Sequence, residues 1–226
     1  IEDERLSADQ ADRLVAKARQ RAEKQTDRET YQAMEGFVHN LNTMHSRAGA
    51  QTPFSSINYG TDTSPEGRMA IRNVLLAEDA GLGHGETPIF PIHIFKVKEG
   101  VNYNESDPNY DLFQLSMKVS AKRLFPNYVF LDAPFNLQYY KPGHPETEVA
   151  TMGCRTRVMG NVYDPTRQIS YSRGNLSFTS INLPRLAIES NHDEKLFYQK
   201  LDKMMELVAQ QLLDRFEIQA SKRVYN

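Results

Sequence analysis

The chain has 226 residues, 39% hydrophobic and 25% charged, with a formal net charge of −2, the balance of an ordinary globular protein made of one large domain or two small ones. That charge argues against a basic nucleic-acid-binding surface but leaves room for a small anion site. No apolar run approaches the roughly 20 residues that span a bilayer, and the charged start, IEDERLSADQ, lacks the apolar core of a signal peptide.

Ser7-Ala-Asp-Gln10 has the pattern of a capping box and opens a polar helix to about Gln25. Leu6, Leu14, Val15 and Ala18 give it a thin apolar face, as on a solvated helix or one packed on another subunit. Tyr31, Met34, Phe37, Val38 and Leu41 recur at helical spacing and predict a second helix from Asp27 to Met44, ending in the small-residue loop Ser46 to Gln51. Pro53 to Tyr59 reads as a strand closed by Gly60. Ser64-Pro65-Glu66 supplies a cap, a first-turn proline and an acid for a helix that stops near Gly81. The continuous apolar run Ile89 to Val97 predicts a buried strand, followed by a helix from Tyr110 to Arg123 and a short strand from Tyr128 to Leu131. This alternation favours an α/β architecture with parallel pairing. Asp132 to Ser172 is mostly loop by composition. Asn175 to Asn182 alternates like a strand. A long amphipathic helix is expected from Asn191, its cap, to about Lys222, with Leu196, Leu201, Met204, Met205, Val208, Leu212 and Phe216 on its buried face.

Three places could carry chemistry. One is Thr151-Met-Gly-Cys-Arg-Thr156. A lone cysteine is most often a small buried hydrophobe, but Cys154 lies in a polar stretch between Gly153 and Arg155, which suits a reactive thiol. As the single cysteine, it can form neither an internal disulfide nor a Cys-rich zinc site, and a reducing, cytoplasmic setting is the default. The second place is Tyr171 to Asn182, where Asn175, Ser177 and Thr179 are either a half-exposed strand or a row of hydroxyl-binding groups. The third is His39 to Gly60, dense in amides and hydroxyls around an Ala-Gly loop. There Arg47 can pair with phosphate and Gly49 permits close backbone approach. His39 and His45 lack a carboxylate partner and do not predict a metal site. His84, His93 and His144 are read as structural, with His93 a core histidine. Gly81-Leu-Gly-His-Gly85 is no phosphate loop, and no hydrolase triad order is present.

Together these segments resemble the anaerobic, class III ribonucleotide reductases. The carriers are HNLNTMHSRAGAQTPFSSINYG (His39 to Gly60), FPIHIFKVKEG (Phe90 to Gly100), TMGCRT (Thr151 to Thr156) and GNLSFTSINLPRLA (Gly174 to Ala187). They stand in family order within a match that runs from about residue 30 to 190. The resemblance implies part of a ten-stranded α/β barrel of the glycyl-radical type, with a central finger loop that has Cys154 at its tip. It implies one partial barrel domain over 1–226: a helical dimer or effector region at 1–48, strands, helices and finger loop at 49–190, and a long helix at 191–226. The activity implied is reduction of ribonucleotides to deoxyribonucleotides, with Cys154 as the thiyl radical and Asn175 facing the substrate hydroxyls. Arg47, Gly49 and Gln51 would touch nucleotide or neighbouring loops, and Ser55, Ser56 and Asn58 would lie on a barrel strand near the substrate.

The implied partners are ribonucleoside triphosphates, allosteric dNTP or ATP, a radical-SAM activating enzyme and a second copy of the chain as a homodimer. The family's glycyl radical and four-cysteine zinc site have no counterpart in this sequence, nor does a second active-site cysteine or an N-terminal cone domain. Formate is the family's common reductant. The chain starts with Ile and is expected to be a central piece of a protein about three times as long, inactive alone and binding no cofactor itself. Two alternatives are a sister glycyl-radical enzyme, against which the His39 to Gly60 segment speaks, and a non-catalytic nucleotide-binding or dimerisation module with an inert Cys154.

Overall fold

The computed structural model describes residues 7–45, 51–153, 156–161, 164–171 and 177–223. The chain divides into two compact units, Ile1–Tyr171 and Ser172–Asn226. The first opens with helix α1, Ala8–Thr43, whose capping box is formed: Ser7 Oγ accepts the Gln10 N–H while the Gln10 side chain accepts the Ser7 N–H. Two helices were expected here, and one continuous helix is found. Residues 25–27 contain neither Gly nor Pro, and continuing a helix costs less than nucleating a second. Leu14 and Val15 are about half exposed, at 53% and 51%.

Then follow β1 (Ser56–Tyr59), α2 (Pro65–Ala80), β2 (Ile92–Val97), α3 (Tyr110–Arg123) and β3 (Asn127–Phe130). Ser64 caps α2 by accepting the Gly67 N–H, and Pro65 fills the first turn, as the sequence suggests. The strands form one parallel sheet in the order β1-β2-β3, with Ile57 opposite His93 and Phe95 opposite Tyr128. Helices α2 and α3 cover one face through Ile71, Leu75, Leu112 and Val119, which pack around the fully buried Phe95. The α/β reading holds, with three parallel strands among the described residues. Helix α1 is tied to α2 by Asp27, which accepts from Asn73 Nδ2 at 2.9 Å and pairs with Arg72.

The composition-rich loop after β3 contains a short helix α4 (Pro134–Leu137), a 3-10 turn (Pro145–Thr147) and two three-residue strands, β4 (Ala150–Met152) and β5 (Thr156–Val158), paired antiparallel. In the second unit, residues 177–182 are not the expected strand. Their polar groups bond to the long helix instead: Arg215 Nη1 donates to the Phe178 carbonyl at 3.0 Å and Thr179 Oγ1 to Gln211 Oε1 at 3.1 Å. A helix that the sequence reading missed, α5 (Leu183–Glu189), is capped by Asn182 with Pro184 in its first turn. The final helix, α6, spans Glu194–Ala220 and is capped by Asp193 rather than Asn191, because Asn191 and His192 adopt left-handed φ of 46° and 66°. The expected apolar face is also thinner than predicted. Leu201, Met204, Val208 and Leu212 are half-buried, whereas Leu196, Met205 and Phe216 are exposed.

One side chain closes the C-terminal end of α2. Arg123 is 7% exposed and donates to the carbonyls of Asp79, Ala80 and Gly85 at 2.6–3.0 Å, satisfying acceptors that a helix end leaves orphaned. Arg123→Met should therefore destabilise the protein by about 2–4 kcal/mol, measured by denaturant unfolding. A loss below about 0.5 kcal/mol, the range of ordinary surface changes, would show that those carbonyls are satisfied without it.

Candidate functional site

Successive side chains of a strand point to opposite faces, so the sheet has two different surfaces. On the helix-covered face Tyr59, His93 and Phe95 are packed inward. The Tyr59 hydroxyl is 2.9 Å from His93 Nδ1, and His93 Nε2 is 3.3 Å from Glu78 Oε2, close enough for charge pairing but outside hydrogen-bond alignment. His93 and Glu78 are 0% and 1% exposed. The core-histidine reading of His93 is correct. Glu78 was missed, although its position four residues after Val74 places an acid on the apolar stripe of α2. Burial first, and the Glu78 charge second, push the Tyr59 phenol well above the usual tyrosine range.

The opposite face carries Ser56 and Asn58 of β1 and Ile92, Ile94 and Lys96 of β2. Across it lies the segment 148–153, a strap held at three points. Lys96 Nζ binds Glu148 Oε1 at 2.8 Å, in a pair whose side chains are 14% and 18% exposed, with Lys98 Nζ 3.7 Å from the other carboxylate oxygen. Asn58 makes two bonds to one residue: its Nδ2 donates to the Thr151 carbonyl at 2.8 Å and its Oδ1 accepts the Thr151 N–H at 2.9 Å. Ser56 Oγ accepts the Gly153 N–H at 3.1 Å. Val149 and Thr151, at 2% and 4% exposed, are buried along this path. Gly153 has φ of 57°, and a Cβ there would lie 3.2 Å from the Phe54 ring, so both conformation and space call for glycine. Phe54 is itself braced edge-on by Phe90, ring centres 5.1 Å apart.

Of the residues expected at the site, Cys154, Asn175, Arg47 and Gly49 lie outside the described residues. Gln51 is exposed. Ser55 turns away from the strap: its carbonyl accepts the Ile92 N–H at 2.8 Å and its Oγ rests on the Pro53 carbonyl at 3.4 Å. Ser56 and Asn58 are brought together, and both spend their polar groups on the backbone just before Cys154. Lys96 and Glu148 were not anticipated. A single lysine inside the apolar run of a buried strand was the available signal, since a charge there requires a partner.

Near the strap, Lys98, Asp132, Asn136, Tyr140 and Glu148 line a cavity of about 30 Å³. The helix side has an apolar groove of about 430 Å³, lined by Met34, Phe37, Ile57, Tyr59, Ile71 and Val74, which lacks the charged groups a phosphate would need. In the second unit, α5, α6 and the turn between them line a cavity of about 730 Å³ that includes Asn191 and His192.

A family model described as anaerobic ribonucleoside-triphosphate reductase matches residues 6–226. The chain belongs to that family. Among its relatives, the anaerobic ribonucleoside-triphosphate reductases of Salmonella typhimurium and Escherichia coli are each 34% identical over 195 residues, which cover 86% of this chain and 26% of theirs. That of Enterobacteria phage T4 is 34% identical over 206 residues, covering 89% of this chain and 33% of the relative. The chain thus spans about a quarter to a third of the length of these anaerobic reductases. The match includes TMGCRT and both strands that hold the strap.

The buried phenol gives a pH test. A tyrosine in an unfolded chain titrates near pH 10, and Tyr59 titrates higher when folded. The stability it lends is complete below about pH 10 and is lost as pH rises towards the folded value. Unfolding free energy should therefore fall more steeply above about pH 10 in the natural protein than in Tyr59→Phe. Parallel slopes would show that Tyr59 ionises as readily folded as unfolded.

Proposed function

We propose that this chain is the part of an anaerobic ribonucleoside-triphosphate reductase that supplies the substrate-attacking thiol, Cys154, on a finger loop, together with one wall of the substrate site. The observation that carries the reading is the strap: Glu148, Thr151 and Gly153 are anchored to the sheet, the last two within the TMGCRT motif that holds Cys154. In the reaction proposed, a sulfur radical at Cys154 takes the 3′-hydrogen of a ribonucleotide. An S–H bond forms as a C–H bond of similar strength breaks, leaving a carbon radical. The 2′-hydroxyl then takes up a proton and leaves as water, formate oxidised to carbon dioxide supplies the two electrons that reduce the sugar, and Cys154 returns the 3′-hydrogen. With so little energy separating the two bonds, catalysis rests on near-contact geometry and a dry site.

Asn175 is assigned to the substrate hydroxyls, and Arg47, Gly49 and Gln51 to the nucleotide or the effector-linked loop. Ser55 is assigned to the pocket wall. The glycyl radical that would generate the thiyl belongs to another part of the full protein, as does the zinc. This chain has one cysteine, and among the described residues no three His, Cys, Asp or Glu side chains converge. Formate as reductant, a radical-SAM activating enzyme and dNTP or ATP as effectors complete the reading. The exposed Leu14 and Val15 on α1 suit a contact with a second copy of the chain. Among the described residues no helix is long and apolar enough to cross a membrane, in keeping with work on soluble nucleotides.

Cys154→Ser in the full-length, activated enzyme should lower nucleotide reduction by about a thousandfold or more, as removal of a covalently acting residue does. Reduction at the natural rate would remove Cys154 from the chemistry and leave the chain a binding or dimerisation module.

A further inference from the structure

We infer that Asn58, assisted by Ser56, is a positioning residue for the reaction at Cys154. The inference rests on the functional reading above and gives a role to residues expected to lie on a barrel strand near the substrate. A primary amide has one acceptor oxygen and one donor nitrogen that can lie side by side, as do the N–H and C=O of a strand residue. Asn58 places both on Thr151, at 2.9 and 2.8 Å. Its side chain thus forms a rung of backbone-like pairing between the parallel sheet and a segment 93 residues further along. Two residues on, Ser56 Oγ accepts from Gly153, the residue that precedes Cys154. Matching spacing on both sides means that β1 fixes the segment in register, so a slip by one residue would cost all three bonds.

For Asn58 to read a sugar hydroxyl with the amide edge that now faces Thr151, the side chain would have to give up both Thr151 bonds. It would leave the N–H of a residue 4% exposed without a partner, which is costly when buried. The ionic anchor from Lys96 to Glu148 holds the segment at its start and leaves the end nearest the cysteine to Ser56 and Asn58. A hydrogen transfer between sulfur and carbon depends steeply on placement, and displacement of about 1 Å can cost about a hundredfold in rate. Loss of the Asn58 rung should therefore appear in turnover, with little change in substrate affinity.

The test uses the full-length enzyme with Asn58→Ala, Asn58→Asp and Ser56→Ala. Asp is nearly isosteric and keeps the acceptor, but sets a carboxylate oxygen against the Thr151 carbonyl. In the unactivated protein, amide exchange at Thr151 should quicken about tenfold or more in Asn58→Ala while the amides of Ile94 and Phe95 keep their protection. In the activated protein, with CTP as probe substrate, kcat should fall about 10- to 100-fold in both Asn58 variants, with KM within about twofold, and less in Ser56→Ala.

Unchanged Thr151 exchange would overturn the inference, as would a KM raised severalfold at constant kcat. If Asn58→Ala also exposes the β2 amides, Ser56→Ala decides by the same two criteria, read at the Gly153 amide. Cys154→Ala assayed alongside separates the two readings. Full activity there defeats the functional assignment, whereas the exchange data judge the strap by themselves.

Discussion

A primary amide on a short strand makes both of its hydrogen bonds to the backbone of a single residue far along the chain. The Asn58–Thr151 pair joins two parts of the molecule that secondary structure alone would leave unconnected: a parallel α/β layer, and a polar, glycine-bearing segment with only three-residue strands of its own. The layer is rigid because helices bury one face of it around Phe95. The opposite face is available to hold something, and what it holds is the approach to Cys154. The placing of the segment thus derives from the packing of the helix side, through β1 and β2. Asn102 and Asn109 both donate to the Gly60 carbonyl at the end of β1, and Arg123 separately closes the end of α2.

The two faces also divide the electrostatics. On the helix side His93 and Glu78 are sealed in the core, and the partly buried Tyr59 packs against it at the wall of the apolar groove. On the strap side Lys96 and Lys98 face the Glu148 carboxylate, and Lys98, Glu148 and Asp132 share the margin of a small cavity with Leu131, Leu137 and Val149. A cavity of about 30 Å³ is too small to enclose a nucleotide, so under the proposed function the described residues would be one wall of a larger site.

Much of this was legible in the residues. The Ser64-Pro65 start, the apolar strand at Ile92 to Val97 and the core role of His93 all follow from local chemistry, and the parallel layer follows from their alternation. The motifs taken together pointed to the family whose model matches residues 6–226. What could not be read was pairing at a distance. Asn58 and Ser56 look like ligand-binding groups because nothing local reveals that their partners are backbone atoms of Thr151 and Gly153. Residues 177–182 alternate as a strand would, yet Arg215 and Gln211 take up their hydrogen bonds, a tertiary choice that overrides a weak local preference. Likewise the apolar stripe of α6 shows which side is less polar but not how much of it a short partner such as α5 can cover.

The most direct test of this account is an experimental structure of the full-length reductase with a ribonucleoside triphosphate bound. The Cys154 sulfur should lie about 3.5 Å from the 3′-carbon of the ribose, near-attack distance, while the Asn58 amide stays paired with the Thr151 backbone. A sulfur turned away from the sugar, or an Asn58 amide bonded to the nucleotide in place of Thr151, would contradict it.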